Sequence, residues 1–165
     1  MLSAWIQILI FVATALITNI LIYYFGYYKY NNPYYVKSPL LPPGFIIGII
    51  WLVIFGFFGY AHYLVYKETE KWTVANIAII VVAVFCLFYL MIVYYRPEYT
   101  KFFNCLSLIF AFTLGILVFN ESENAFWWLI PFIAWSAYVN LADSLIVHRY
   151  SANKKLELCS GEERS

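Results

Sequence analysis

Asp143 is the only acidic side chain within any of the long, otherwise uncharged stretches of this sequence. Burying a charge within a span costs at least about 2.5–3.5 kcal/mol on insertion scales, so Asp143 is protonated, paired or facing a polar cavity. It reads either as hydrogen-bonded to a neighbouring helix or wet near the cytosolic end, or as lining a ligand site. On a helix, Trp135, Val139 and Asp143 recur every four residues and share a face with Ala142, while Asn140 lies to one side. Trp51, Phe55, Phe58 and His62 make a second stripe, at intervals of four, three and four. An aromatic stripe is ordinarily core packing, and a lone histidine is more often an interhelical donor than a ligand contact. In lipid, however, apolar side chains gain little by hiding from equally apolar tails, so Trp and His are better placed facing a cavity than facing lipid. The chemistry open to these residues is recognition: indole faces on which a flat molecule stacks, and a few polar groups, Asp143 and His62, that orient it in an apolar pocket.

Other chemistries are poorly served. The chain has three cysteines, of which Cys86 and Cys105 fall in apolar stretches and Cys159 lies near the C-terminus, a scatter that offers neither a disulfide framework nor metal-ligand spacing. His62 and His148 are too far apart to make a metal site, so no metal is expected. Glycine-rich phosphate loops, a GxSxG elbow and paired carboxylates are absent. These absences argue against an ordinary hydrolase, kinase or metalloenzyme, and one intramembrane acid is fewer than ion-driven transport usually needs.

The elements that must position these residues follow from composition. Of 165 residues, 64% are hydrophobic and only 12% charged, with a mean hydropathy of +0.76. Soluble domains average about 45–50% apolar and about 25% charged, so this is a membrane-resident chain. A net charge of +1 offers no electrostatic footprint for nucleic acid. The charges gather into clusters whose gaps predict helices at about 4–25, 44–66, 74–95, 102–119 and 125–148. Helix is the default because a lone apolar segment must satisfy its own backbone in lipid. The first stretch lacks a basic leader and is too long for a signal peptide, so it reads as a retained span. The expected architecture is an all-α membrane protein, a compact bundle of five transmembrane helices formed by residues 1–150, followed by a polar tail at 151–165.

Five spans put the termini on opposite sides. Lys29, Lys37, Arg96, Lys101, Arg149, Lys154, Lys155 and Arg164 lie on one side, and only Lys67 and Lys71 on the other. The positive-inside rule then places the first loop, the third loop and the C-terminus in the cytosol. The asymmetry fits a mitochondrial outer membrane, another organelle or a plasma membrane equally. Three loops are short, which makes consecutive helices antiparallel neighbours. The first, 26–43, is long and carries Tyr27, Tyr28, Tyr30, Tyr34 and Tyr35 before Pro39, Pro42 and Pro43. It reads either as an aromatic interfacial belt or as a semi-rigid lid over a cavity opening to the cytosol. Gly44 and Gly48 form a GxxxG that permits close approach, either within the bundle or to a second copy in a homodimer.

The second stretch contains Pro42-Pro43-Gly44-Phe45-Ile46-Ile47-Gly48-Ile49-Ile50-Trp51 and then Gly59-Tyr60-Ala61-His62-Tyr63-Leu64-Val65-Tyr66; the fifth contains Pro131-Phe132-Ile133-Ala134-Trp135. These runs resemble the translocator protein family, also known as tryptophan-rich sensory proteins or peripheral-type benzodiazepine receptors. That family has Pro-Pro-x-Trp-Val-x-Gly-Pro-x-Trp, Gly-Tyr-x-x-Tyr-Leu-Val and Pro-Tyr-Leu-Ala-Trp at the matching places. Phe45 stands for a usual Trp, Ile49 for a Pro, Phe88-Tyr89 for an Asn-Trp pair, and Ala142-Asp143 for a common Leu-Asn. The resemblance implies a five-helix bundle enclosing a pocket for porphyrins, including haem and its precursors, and for sterols and related lipophilic ligands, with the first loop over it. It puts Ile47 in that pocket beside Trp51, Phe55, Trp135, Val139, Ala142, Asp143 and His62. No cofactor is required on this reading. Breakdown of bound porphyrin by light or oxygen, and sterol or lipid transport, are the alternative activities it implies. A degenerate sterol pattern occurs twice, at Val147, Tyr150, Lys154 and at Leu64, Tyr66, Lys71, and so distinguishes neither place.

Overall fold

The computed structural model of the chain describes residues 3–26, 40–95, 99–142 and 144. Residues 27–39 of the first loop, Asp143 and the tail lie outside them. Five helices run in sequence: α1, Ala4–Gly26; α2, Gly44–Thr69; α3, Val74–Tyr95; α4, Thr100–Glu121; and α5, Glu123–Ala142. Among the described residues there is no strand. At about 1.5 Å rise per residue each helix reaches roughly the 30 Å of a hydrocarbon core. α1, α2, α4 and α5 are long and apolar enough to cross a membrane, and α3 presents an apolar stretch over Val74–Tyr89. The protein is a five-helix integral membrane bundle.

α2 is the central post. It meets α1, α3, α4 and α5, while α3 packs on α4, and α4 on α5. Its buried side is the aromatic stripe itself: Trp51, Phe55, Phe58 and His62, with Ile54, Ala61 and Val65. α1 is peripheral. Gln7 and Ala15 are buried, whereas Trp5, Leu9, Ile17 and Ile20 face outward. Outward apolar side chains are what lipid requires, and they would be costly in water. α1 approaches α2 so closely at Gly59 that an added Cβ would stand 2.8 Å from Ile8 Cα and 2.9 Å from the Gln7 carbonyl.

The helix ends have local causes. Pro43, with φ −51°, leads into α2 and its carbonyl accepts from the N–H groups of Ile46 and Ile47. Glu70 closes α2 in the left-handed region at φ 56°, its N–H bonded to the Tyr66 carbonyl at 2.8 Å, a place where glycine is usual. At the start of α3 the Asn76 side-chain oxygen accepts from both the N–H and the hydroxyl of Thr73. Ser122 alone joins α4 to α5: its N–H donates to Val118 and its hydroxyl caps α5 by accepting from the Ala125 N–H at 3.0 Å. α5 breaks after Trp127, at Trp128 and Leu129, and resumes over 130–142. Pro131 accounts for the break, because it lacks the N–H that would bond to Trp127 and disfavours helical geometry in the residue before it. Sequence patterning foresees no such interruption in the 125–148 segment.

Candidate functional site

Trp51 sits on α2 two turns inside the bundle from the first loop, with only 3% of its surface exposed. Its ring centroid lies 5.9 Å from Tyr89 of α3, 6.4 Å from Phe132 of α5 and 6.3 Å from Phe55. Phe132 in turn meets Phe58 edge-on at 4.9 Å. Separations of this kind contribute about 0.5–1.5 kcal/mol per pair beyond burial alone. Three helices are thereby clasped through rings around one indole.

A polar network continues from that cluster. Tyr89 donates its hydroxyl to Asn104 Oδ1 at 2.5 Å. The Asn140 amide donates to the carbonyls of Asn104 and Ser136, each at 2.8 Å. The hydroxyls of Ser107 and Ser136 lie 3.3 Å apart. Tyr89, Asn104, Ser107 and Ser136 are all buried, so α3, α4 and α5 share hydrogen bonds where lipid offers no alternative partners.

The sequence candidates divide between two levels of the bundle. Ile47, half-buried, stands one turn before Trp51 and packs on the same core, and Phe55 lies fully enclosed one turn after it. On α5, Val139 and Ala142 are buried. Trp135 is half-buried, its ring 5.6 Å from Tyr138, whose hydroxyl donates to the Leu40 carbonyl where the first loop returns. Asp143 lies outside the described residues. His62 belongs to the opposite level, eleven residues and about 16 Å along α2 from Trp51. Its Nδ1 is 2.6 Å from Gln7 Oε1 of α1, its carbonyl accepts from the Asn76 amide of α3 at 3.0 Å, and its ring meets Trp72 edge-on at 5.2 Å. Nε2 is buried without a hydrogen-bond partner. His62 thus ties α1, α2 and α3 together, at a distance from the indoles it was grouped with.

Sequence reasoning missed most of the polar network. The signal was present: Asn104 and Ser107 stand three apart and Ser136 and Asn140 four apart, each pair on one face of its helix. Phe88 and Tyr89 also differ sharply, Phe88 being 60% exposed and Tyr89 turned inward against Trp51. Among the described residues no three His, Cys, Asp or Glu side chains gather as a metal site. Rings and hydrogen-bonding groups are the chemistry that this level of the bundle offers.

The whole bundle, residues 6–146, matches the model of the TspO/MBR family. No curated protein and no solved structure matches the chain.

Proposed function

Because the chain belongs to the TspO/MBR family, we propose that this translocator- or receptor-like membrane protein binds flat lipophilic ligands, porphyrins foremost, at the first-loop end of its bundle. The observation that carries this reading is the junction of Trp51 with a buried hydrogen-bonding network, Tyr89–Asn104–Asn140–Ser136, inside an otherwise apolar bundle. A tetrapyrrole has two apolar faces and polar edges. Indoles serve the faces, while the network serves the edges, with Asp143 as a further polar candidate from the sequence. Trp51 is packed against rings, so binding requires α2 and α5 to part or their side chains to turn. The Tyr138–Leu40 hydrogen bond joins the chain just before α2 to α5, so parting α5 from α2 would disturb the chain at Leu40.

Porphyrin titration of the detergent-purified protein, followed by quenching of intrinsic fluorescence, tests the assignment. Replacing both Trp51 and Trp135 by Leu should weaken binding at least tenfold, equivalent to about 1.4 kcal/mol. Absorbance of the porphyrin provides a readout independent of the lost indoles. Unchanged affinity in the folded double variant would overturn the pocket. Repeating the titration across pH with Asp143→Asn separates a role for the acid from one for the rings.

A further inference from the structure

At the end of the bundle opposite the first loop, α2 and the start of α5 leave an open cleft of about 530 Å³ lined by Tyr60, Leu64, Lys67, Glu68, Asn124, Trp127 and Trp128. It opens on the outer surface, apart from the Trp51 cluster. One wall is aromatic: Trp128 meets Tyr60 edge-on at 4.8 Å, and Trp127 projects outward with 62% of its surface exposed. The floor carries one cation and one anion on consecutive residues, Lys67 and Glu68. The Glu68 carboxylate is held in place by the Asn124 amide, 2.9 Å from Oε1.

We propose that this cleft holds the headgroup of a zwitterionic phospholipid, with its ammonium against Tyr60, Trp127, Trp128 and Glu68 and its phosphate on Lys67. Two features select this occupant. Aromatic side chains beside a carboxylate attract a cation and above all a quaternary ammonium, and Trp127, exposed at the end of α2 and the start of α5, is of a residue type favoured where headgroups lie. The surrounding charge also disfavours a net anionic lipid. The α2–α3 and α4–α5 corners carry Lys67 and Lys71 against Glu68, Glu70, Glu121 and Glu123. A headgroup with no net charge avoids that repulsion while satisfying both members of the Lys67–Glu68 pair.

Native mass spectrometry of the full chain, with dioleoylphosphatidylcholine and dioleoylphosphatidylglycerol supplied in equal amounts, tests the proposal. The choline lipid should be retained about fivefold over the glycerol lipid, the scale of a partly desolvated cation–π contact. Glu68→Gln, which keeps an oxygen for Asn124, and Trp127→Leu, which alters an exposed side chain, should each erase most of that preference in protein whose helicity is unchanged. Lys67→Gln should reduce retention of both lipids. Equal retention by the wild type, or a choline preference that survives both Glu68→Gln and Trp127→Leu, would overturn it.

Discussion

Glu70 holds a backbone conformation at φ 56° that its side chain disfavours. The left-handed region costs a non-glycine residue about 1–2 kcal/mol, and glycine gives back some of that through its freer unfolded chain. Glu70→Gly should therefore stabilise the bundle by about 0.5–1 kcal/mol, seen as a higher midpoint in thermal unfolding followed by circular dichroism in detergent. A lower midpoint would mean that the Glu70 side chain makes a contribution exceeding the backbone cost. Ser122 predicts the opposite sign. Its hydroxyl is the cap of α5, and Ser122→Ala should cost about 1 kcal/mol. Asp143 and Trp51 were visible as candidates because an acid or an indole is conspicuous in an apolar stretch. Tyr89 was marked only by the resemblance, which sets it at a family Trp, since composition gives one tyrosine among sixteen nothing that distinguishes an inward-facing ring from a belt ring.

Between elements, the α1–α2 contact is set by Gly59, not by the Gly44/Gly48 spacing alone. A Cβ at Gly59 meets backbone atoms of Ile8 and Gln7, which cannot swing aside, whereas one at Gly56 meets only the Val12 side chain at an ordinary 3.6 Å. Gly59→Ala should push the helices apart and strain the Gln7–His62 hydrogen bond one turn away, at a cost of about 1–3 kcal/mol. Gly56→Ala should fall within about 0.5 kcal/mol of wild type. Equal midpoints for the two variants would show that α1 relaxes freely. The spans were legible because charges cluster at their ends; the break in α5 was not read, although Pro131 carried its signal. Which helices face each other was not legible, because apolar side chains suit both a neighbouring helix and lipid. That is why His62 shared a stripe with Trp51 in the sequence and yet serves a different level of the structure.

For the whole molecule, the bundle has two chemically distinct ends. One carries Trp51, the Asn104 network and the first-loop return; the other carries His62, Trp72 and the acidic corners. If the excess of Lys and Arg sets orientation, the second end is non-cytosolic. In a background lacking Cys86 and Cys105, an impermeant maleimide added to intact cells or organelles should then label Lys71→Cys but not the native Cys159. Labelling of both positions on one face would exclude five crossings, and the reverse pattern would invert the orientation.

The Ser122 corner also constrains how the protein is made. A single extended residue spans no more than about 3.6 Å, so α5 begins where α4 ends and has no slack with which to wait its turn. α5 is the least apolar of the four strongly spanning helices, bearing Pro131, Ser136 and Asn140. It is poorly equipped to partition into lipid unaided, but Asn140 and Ser136 already have their partners on α4. Biogenesis of the C-terminal third should accordingly proceed by release of α4 and α5 together as a preassembled hairpin, with α4 chaperoning the passage of its successor.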